Sequence, residues 1–219
     1  MARISARIKD RSLVQARQAQ IVEAARRIFR EKGFHAATVR EIGRVARMTQ
    51  GTLYNYIRSK EDILFLVCDQ LVRAYQEAVK AVIAPEKEPR KRLRAAIRAI
   101  IEVMMDRQDD LLLMYQESHA LERKALRDVL SRVREFIEYF ITILKEASEA
   151  GVITSSNPQV TANIITFLPV MVALRRWDLG RRCTQQEVID GLVNFMTRGL
   201  GVVLDEPAGR RDGSGRDGA

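Results

Sequence analysis

Apolar residues recur along this chain at intervals of three and four rather than two, the period of helices with one buried face. Ile21, Ala25, Ile28 and Phe29 share such a face in a helix predicted over 12–32, which Gly33 ends as a C′ glycine. Thr38 to Glu41 is a capping-box pattern. It opens a short helix reaching Arg47, with Val39, Ile42, Val45 and Ala46 inward. A second short helix, Gln50 to Ile57, follows a break of a few residues. Ser59 caps a long helix ending near Ala84, whose stripe is Ile63, Val67, Leu71, Ala74 and Ala78. Pro89 starts the next, to Asp106, and Asp109 and Asp110 precede a short apolar helix, LLLMYQES. Leu121 to Ala150 is long and amphipathic and stops at Gly151. Asn157 and Pro158, an N-cap followed by a first-turn proline, open a helix to Leu179. Thr184 to Glu187 is a further capping box for a helix to Leu204. These nine helices, with no strand-like alternation between them, predict an all-α chain.

Composition changes this picture at the ends and in the first quarter. Hydrophobic residues make up 47% of the 219, enough for a sizeable core. Residues 1–11 are polar and basic without a period and are expected to form a flexible arm, and 205–219 has the composition of a disordered tail. The formal charge is +9, but residues 1–60 hold 14 Lys+Arg against 4 Asp+Glu, and the remainder 23 against 24. A basic module joined to a neutral one points to a polyanion, either nucleic acid or an anionic membrane. Cys68 and Cys183 both lie in apolar helical patterns and read as buried free thiols of a reducing compartment. The first residues carry charges where a signal peptide needs an apolar run. The longest apolar stretch, Ile164 to Leu174, is too short to span a bilayer. A cytoplasmic protein with no membrane partner is expected.

Residues 38–57 are two short helices joined by a tight turn inside the basic quarter, the outline of a DNA reader. Leu53 and Ile57, four apart, would pin the second helix to the core. Its opposite face then offers Gln50, Thr52, Asn55 and Tyr56, groups suited to base edges and phosphates. The run TVREIGRVARMTQGTLYNYIRSKEDI, Thr38 to Ile63, closely resembles the signature of the TetR family of bacterial regulators. The match extends from Arg17 to Leu66, and the rest agrees in length and helix number. It departs at Gly43, where the family usually has alanine, and at Arg47, where the turn usually has glycine. A left-handed arginine there would cost roughly 1–2 kcal/mol.

The resemblance implies a helix-turn-helix DNA-binding domain over 12–58 and a helical ligand-binding and dimerisation domain over 59–204. It implies a ligand-responsive repressor that binds a palindromic operator in double-stranded DNA as a homodimer. Carried over residue by residue, Thr38 becomes a phosphate clamp through its N–H and hydroxyl, and Arg40 and Arg44 add phosphate or base contacts. Thr49, Gln50, Gly51 and Thr52 form the leading end of the recognition helix, with Gln50 the candidate for direct base readout. Tyr54 and Tyr56 bond or pack against the DNA backbone, Tyr54 having an equal reading as a packing residue. Lys60 becomes a phosphate-binding lysine. Arg26, Arg27 and Arg30 read as a solvated face near DNA. Arg3, Arg7, Lys9 and Arg11 read either as a disordered arm or as minor-groove contacts.

In TetR proteins the last two helices form an intermolecular four-helix bundle, here Asn157–Leu179 and Thr184–Leu204. Val172, Leu192, Phe195 and Met196 are candidate dimer contacts, with intrachain core as the other reading of each. Met104, Met105, Leu112, Tyr115, Phe136, Phe140, Phe167 and Met171 are candidate effector contacts or core. Met114 joins them, and Pro169 would kink its helix and help open a cavity. Arg176 and Trp177, with Arg175, Arg181 and Arg182, make a cationic and aromatic group suited to an amphiphilic anion. That half is similar to TetR members that sense fatty acyl-CoA. The same arginines also suit a helix C-terminus.

No cofactor or metal is implied. His35 and His119 are far apart, and there is no HExxH, P-loop or glycine-rich dinucleotide turn, so an enzyme is not expected. The competing class is a helical protein whose basic part binds anionic lipid or nucleic acid without sequence preference.

Overall fold

The computed structural model describes residues 10–154 and 157–202, the side chain of Arg11 excepted. The expected tail, and all of the expected arm before Asp10, lie outside these residues, as do Arg3, Arg7 and Lys9. Helix α1, Arg11–Ala36, begins on an N-cap made by Asp10, whose carboxylate accepts from the backbone N–H groups of Ser12 and Leu13. At Gly33 the backbone turns to φ 79°, which only glycine adopts without strain, and one further turn carries Phe34 into the core against Phe29.

Helix α2 (Val39–Val45) and helix α3 (Gln50–Leu53) complete the head. The second is one turn long, shorter than the expected reach to Ile57. Helix α4, Lys60–Ile83, runs from the head into the body and is buried along most of its first two turns. There follow α5 (Pro89–Asp106), α6 (Gln108–Glu117), a 3-10 turn at Ser118–Ala120 and α7 (Arg123–Glu149). Ala74 and Ala78, expected in the buried stripe of α4, are only half-buried.

The expected helix 157–179 is three pieces: α8 (Pro158–Phe167), α9 (Val170–Leu174) and α10 (Arg176–Arg182). Pro169 has no N–H for the ladder and the chain re-starts after it. Helix α11, Gln185–Gly199, closes the described chain on a capping box of Thr184 and Glu187. The expected count of nine therefore becomes eleven α-helices among the described residues.

One continuous core runs through head and body, from Ile21 and Leu53 through Leu71 and Ile97 to Phe140. Cys68 belongs to it, and burial pushes its thiol up to about 12. Cys183, expected to be buried, is exposed, because α10 ends there with its outer side in solvent. No helix among the described residues is long and apolar enough to cross a membrane.

Candidate nucleic-acid interface and the junction behind it

The N-terminus of α2 is closed on itself. The Thr38 hydroxyl donates to Glu41 at 2.8 Å, the Thr38 N–H donates to the same oxygen at 3.0 Å, and the Glu41 N–H returns to the Thr38 hydroxyl. Lys32 pairs with the other carboxylate oxygen. This bond and the Thr38 donors pull the Glu41 pKa down to about 2. In the DNA-free chain both Thr38 donors are therefore bonded to a carboxylate.

The turn after α2 is left-handed at Arg47, φ 53°. Three amides close it: Ala46 and Arg47 donate to Ile42 and Arg44, and Met48 donates to Gly43. Gly43 is buried where a Cβ would sit 3.3 Å from Leu53 and 3.4 Å from the Met48 carbonyl. The departure at this position therefore brings α2 and α3 close together. From α1, Gln20 donates to the Ala46 carbonyl at 2.7 Å and ties the turn to the longest helix of the head. Spacing along the chain does not show this contact, since the two residues are 26 apart.

Helix α3 is capped by Thr49, which accepts from the Thr52 N–H. Leu53 and Ile57 are buried, so the short segment is pinned on one side only. Arg40, Arg44, Thr49, Gln50, Gly51 and Tyr54 are exposed, and Thr52 and Asn55 are half-exposed. A Cβ built on Gly51 meets nothing within 4 Å, so packing inside the chain does not require glycine there. Tyr56, expected on the outer face, is buried at 3% exposure. With α3 one turn long, the chain bends after Leu53 and turns Tyr56 inward.

Lys60, expected to bind phosphate, is bonded within the chain when DNA is absent. Its ammonium donates to the carbonyls of Phe34, His35 and Ala37 at 2.8, 3.0 and 3.1 Å and lies 4.5 Å from the Phe34 ring centre. All three protons are used on the chain's own backbone. The lysine therefore clamps the end of α1 to the start of α4. Arg58 fixes the same corner through its N–H and guanidinium, both bonded to Asp62.

Behind the head, α1 meets α6 across a polar cleft of about 910 Å³ lined by Gln20, Arg26, Arg30, Arg47, Arg107 and Arg176, among others. Arg26 on α1 donates to one oxygen of Asp110 on α6 at 3.0 Å and lies 2.8 Å from the other as an ion pair. Arg107 stands 3.8 Å from the same carboxylate, and Asp109 pairs with Arg30 and Arg176. Burial outweighs these guanidinium partners and raises the Asp110 pKa above its ordinary value. The pair is accordingly better understood as fixing position than as adding stability. The arginines expected to form a solvated face near DNA thus differ in environment. Arg27 and Arg30 are exposed, whereas Arg26 faces the body.

The expected effector residues do not gather in one place. Phe136 and Phe140 are buried and stacked edge to face at 5.3 Å, beside Tyr75 of α4. Met104 is buried, while Leu112 and Met171 are half-buried. Tyr115 and Phe167 are exposed and stacked on each other at 5.7 Å. Met105 and Arg176 line the polar cleft instead, and Trp177 is 71% exposed. The expected cationic and aromatic group beside an apolar cavity is therefore not assembled.

Of the candidate dimer contacts, Val172, Leu192 and Met196 are buried within the single chain. Phe195 is 68% exposed, and Val160, Ile164, Phe167, Leu174 and Trp177 expose further apolar surface on the same terminal helices.

Two family models match the chain. Bacterial regulatory proteins of the tetR family matches residues 21–67, and the tetracyclin repressor-like C-terminal domain matches 86–200. The chain belongs to the TetR family. It is a helix-turn-helix transcriptional regulator, and TetR regulators bind operator DNA as dimers. Among its relatives is the HTH-type transcriptional regulator HbdR of Aromatoleum sp. (strain CIB), 27% identical over 84% of this chain and 80% of that one. A tetR-family regulatory protein from Rhodococcus RHA1 has the same fold, with a TM-score of 0.75 at 22% identity over 85% of this chain and 98% of the other. AibR, solved with isovaleryl coenzyme A and operator DNA, superposes with a TM-score of 0.69 at 23% identity over 82% and 97%.

Proposed function

We propose that this TetR regulator is a repressor that reads a palindromic operator as a homodimer and is released by a small apolar or amphiphilic effector. One observation supports it above the others: an outward face of Thr49, Gln50, Gly51 and Tyr54 stands on a segment whose supporting helix α1 is bonded to α6 of the body through Arg26 and Asp110. Gln50 reads base edges, Arg40 and Arg44 supply phosphate contacts, and the absent side chain at Gly51 lets the backbone approach the duplex. The apolar surface of Ile164, Trp177 and Phe195 is the dimer face, which sets two reading heads about 34 Å apart. Effector in the body displaces α6, Asp110 carries Arg26 and α1 with it, and operator affinity falls. By linkage, DNA weakens effector binding by the same factor. An acyl thioester is the first effector class to try, given that AibR is described with isovaleryl coenzyme A.

The test is selection of bound DNA from a random pool at near-physiological salt, repeated with Gln50→Ala and Arg44→Ala. A palindrome whose preference is altered by the first change and whose affinity is lowered uniformly by the second supports the reading. Binding that falls steeply with salt and favours no sequence would instead make the basic head a general polyanion binder.

A further inference from the structure

Tyr75 lies on α4 at 3% exposure, its ring 6.0 Å from that of Phe136, which in turn stacks on Phe140. Its hydroxyl has no hydrogen-bond partner. A buried hydroxyl without a partner is destabilising, and an acceptor on a ligand would satisfy it. Burial holds its pKa well above the ordinary value of 10, Tyr115 and Asp110 push the same way, and Arg107 opposes them. The group is therefore a neutral O–H at neutral pH. The nearby cations Arg26 and Arg107 both face the Asp110 carboxylate.

We propose that the Tyr75 hydroxyl is the hydrogen-bond donor of the effector site, and that the part of the effector it receives is a neutral apolar group bearing a carbonyl acceptor rather than a free carboxylate. This rests on the effector reading above and adds to it a specific donor and a ligand chemistry. Phe136 and Phe140 supply apolar contact, while the carbonyl oxygen accepts the proton that is unpaired in the free protein. A carboxylate would lose its hydration there, beside cations that already face Asp110.

Tyr75→Phe tests this with two readouts. In the free protein, removal of an orphan hydroxyl raises the thermal midpoint by about 2–4 °C. A lowered midpoint would mean that the hydroxyl already has a partner, and would overturn the proposal. For binding, calorimetry compares octan-2-one, octane and octanoate on both proteins. The expected result is that Tyr75→Phe weakens octan-2-one by about threefold to tenfold and leaves octane unchanged, with octanoate the weakest ligand of the original protein. Equal ketone affinity for both proteins, or octanoate binding more tightly than the ketone, would overturn it. Operator binding is measured separately with the same ketone. Tyr75-dependent ketone binding that leaves operator affinity unchanged supports this site while refuting release by effector, so the two ideas fail by different results.

Discussion

In the head, α1 to α3 with the first residue of α4, the polar groups that reach inward meet defined partners. Gln20 meets the Ala46 carbonyl, Lys60 meets three carbonyls at the end of α1, and Thr38 meets Glu41. In the body, Tyr75 keeps a hydroxyl with no partner and Asp110 keeps a carboxylate that burial would rather protonate. The difference matches what each region does. A surface that reads DNA benefits from being held in one geometry before binding, since ordering it afterwards costs affinity. A region that changes state with a ligand needs groups whose satisfaction differs between the states. Arg26 and Asp110 join the two regimes, with the guanidinium on the head and the carboxylate on the body.

The comparison can be broken first in the core. Phe140 is fully buried among the aromatics of α4 and α7, and Phe140→Ala should lower unfolding stability by about 3–5 kcal/mol. Because one core spans both regions, tryptophan fluorescence and far-UV circular dichroism should report a single transition at the lowered midpoint. Two separate transitions would show that head and body are independent units.

Asp110→Ala, next in size, removes the acceptors that the half-buried Arg26 uses on α6 and should cost about 3 kcal/mol in chemical denaturation. The double change Arg26→Met with Asp110→Leu should recover most of that stability while reducing the effect of ligand on operator affinity. Recovery with coupling intact would show that the pair is structural only.

Gly51→Ala sharpens the contrast from the head's side. The free protein should gain up to about 0.5–1 kcal/mol in helix propensity, because nothing in the chain opposes the methyl group. Operator affinity should fall by about tenfold if backbone approaches the duplex there. Higher stability with unchanged affinity would remove Gly51 from the interface.

The smallest effect is in acid. Glu41 has a folded-state pKa of about 2, below its ordinary 4.5, so its contribution is present above 4.5 and is lost as pH falls toward 2. Asp110, raised above 3.8, has the opposite sign: its contribution is full below 3.8 and is lost as pH rises through its folded value. In thermal melts between pH 5 and pH 2, Glu41→Gln should flatten the acid loss and Asp110→Asn should steepen it.

Much of this regulator was legible along the chain because its information is local. Capping boxes at Thr38 and Thr184 act within one turn, and both are present in the structure. The break at Gly33 and the stop at Gly151 follow from a positive φ at each. The apolar period of α4 and α7 depends only on neighbours three and four apart, and the motif from Thr38 to Ile63 carried the family with it. What stayed hidden depends on contacts between residues far apart in sequence. Nothing local distinguishes a lysine for phosphate from Lys60 clamping carbonyls 23 to 26 residues back, or a solvated Arg26 from one bonded to an aspartate 84 residues on. Tyr56 and Tyr54 differ by two positions, yet the bend after Leu53 buries one and exposes the other. Helical period thus determined which side chains could face inward. Only tertiary packing decided which of them met a partner, because a hydrogen bond or ion pair needs its two groups within a few ångströms whatever their distance along the chain.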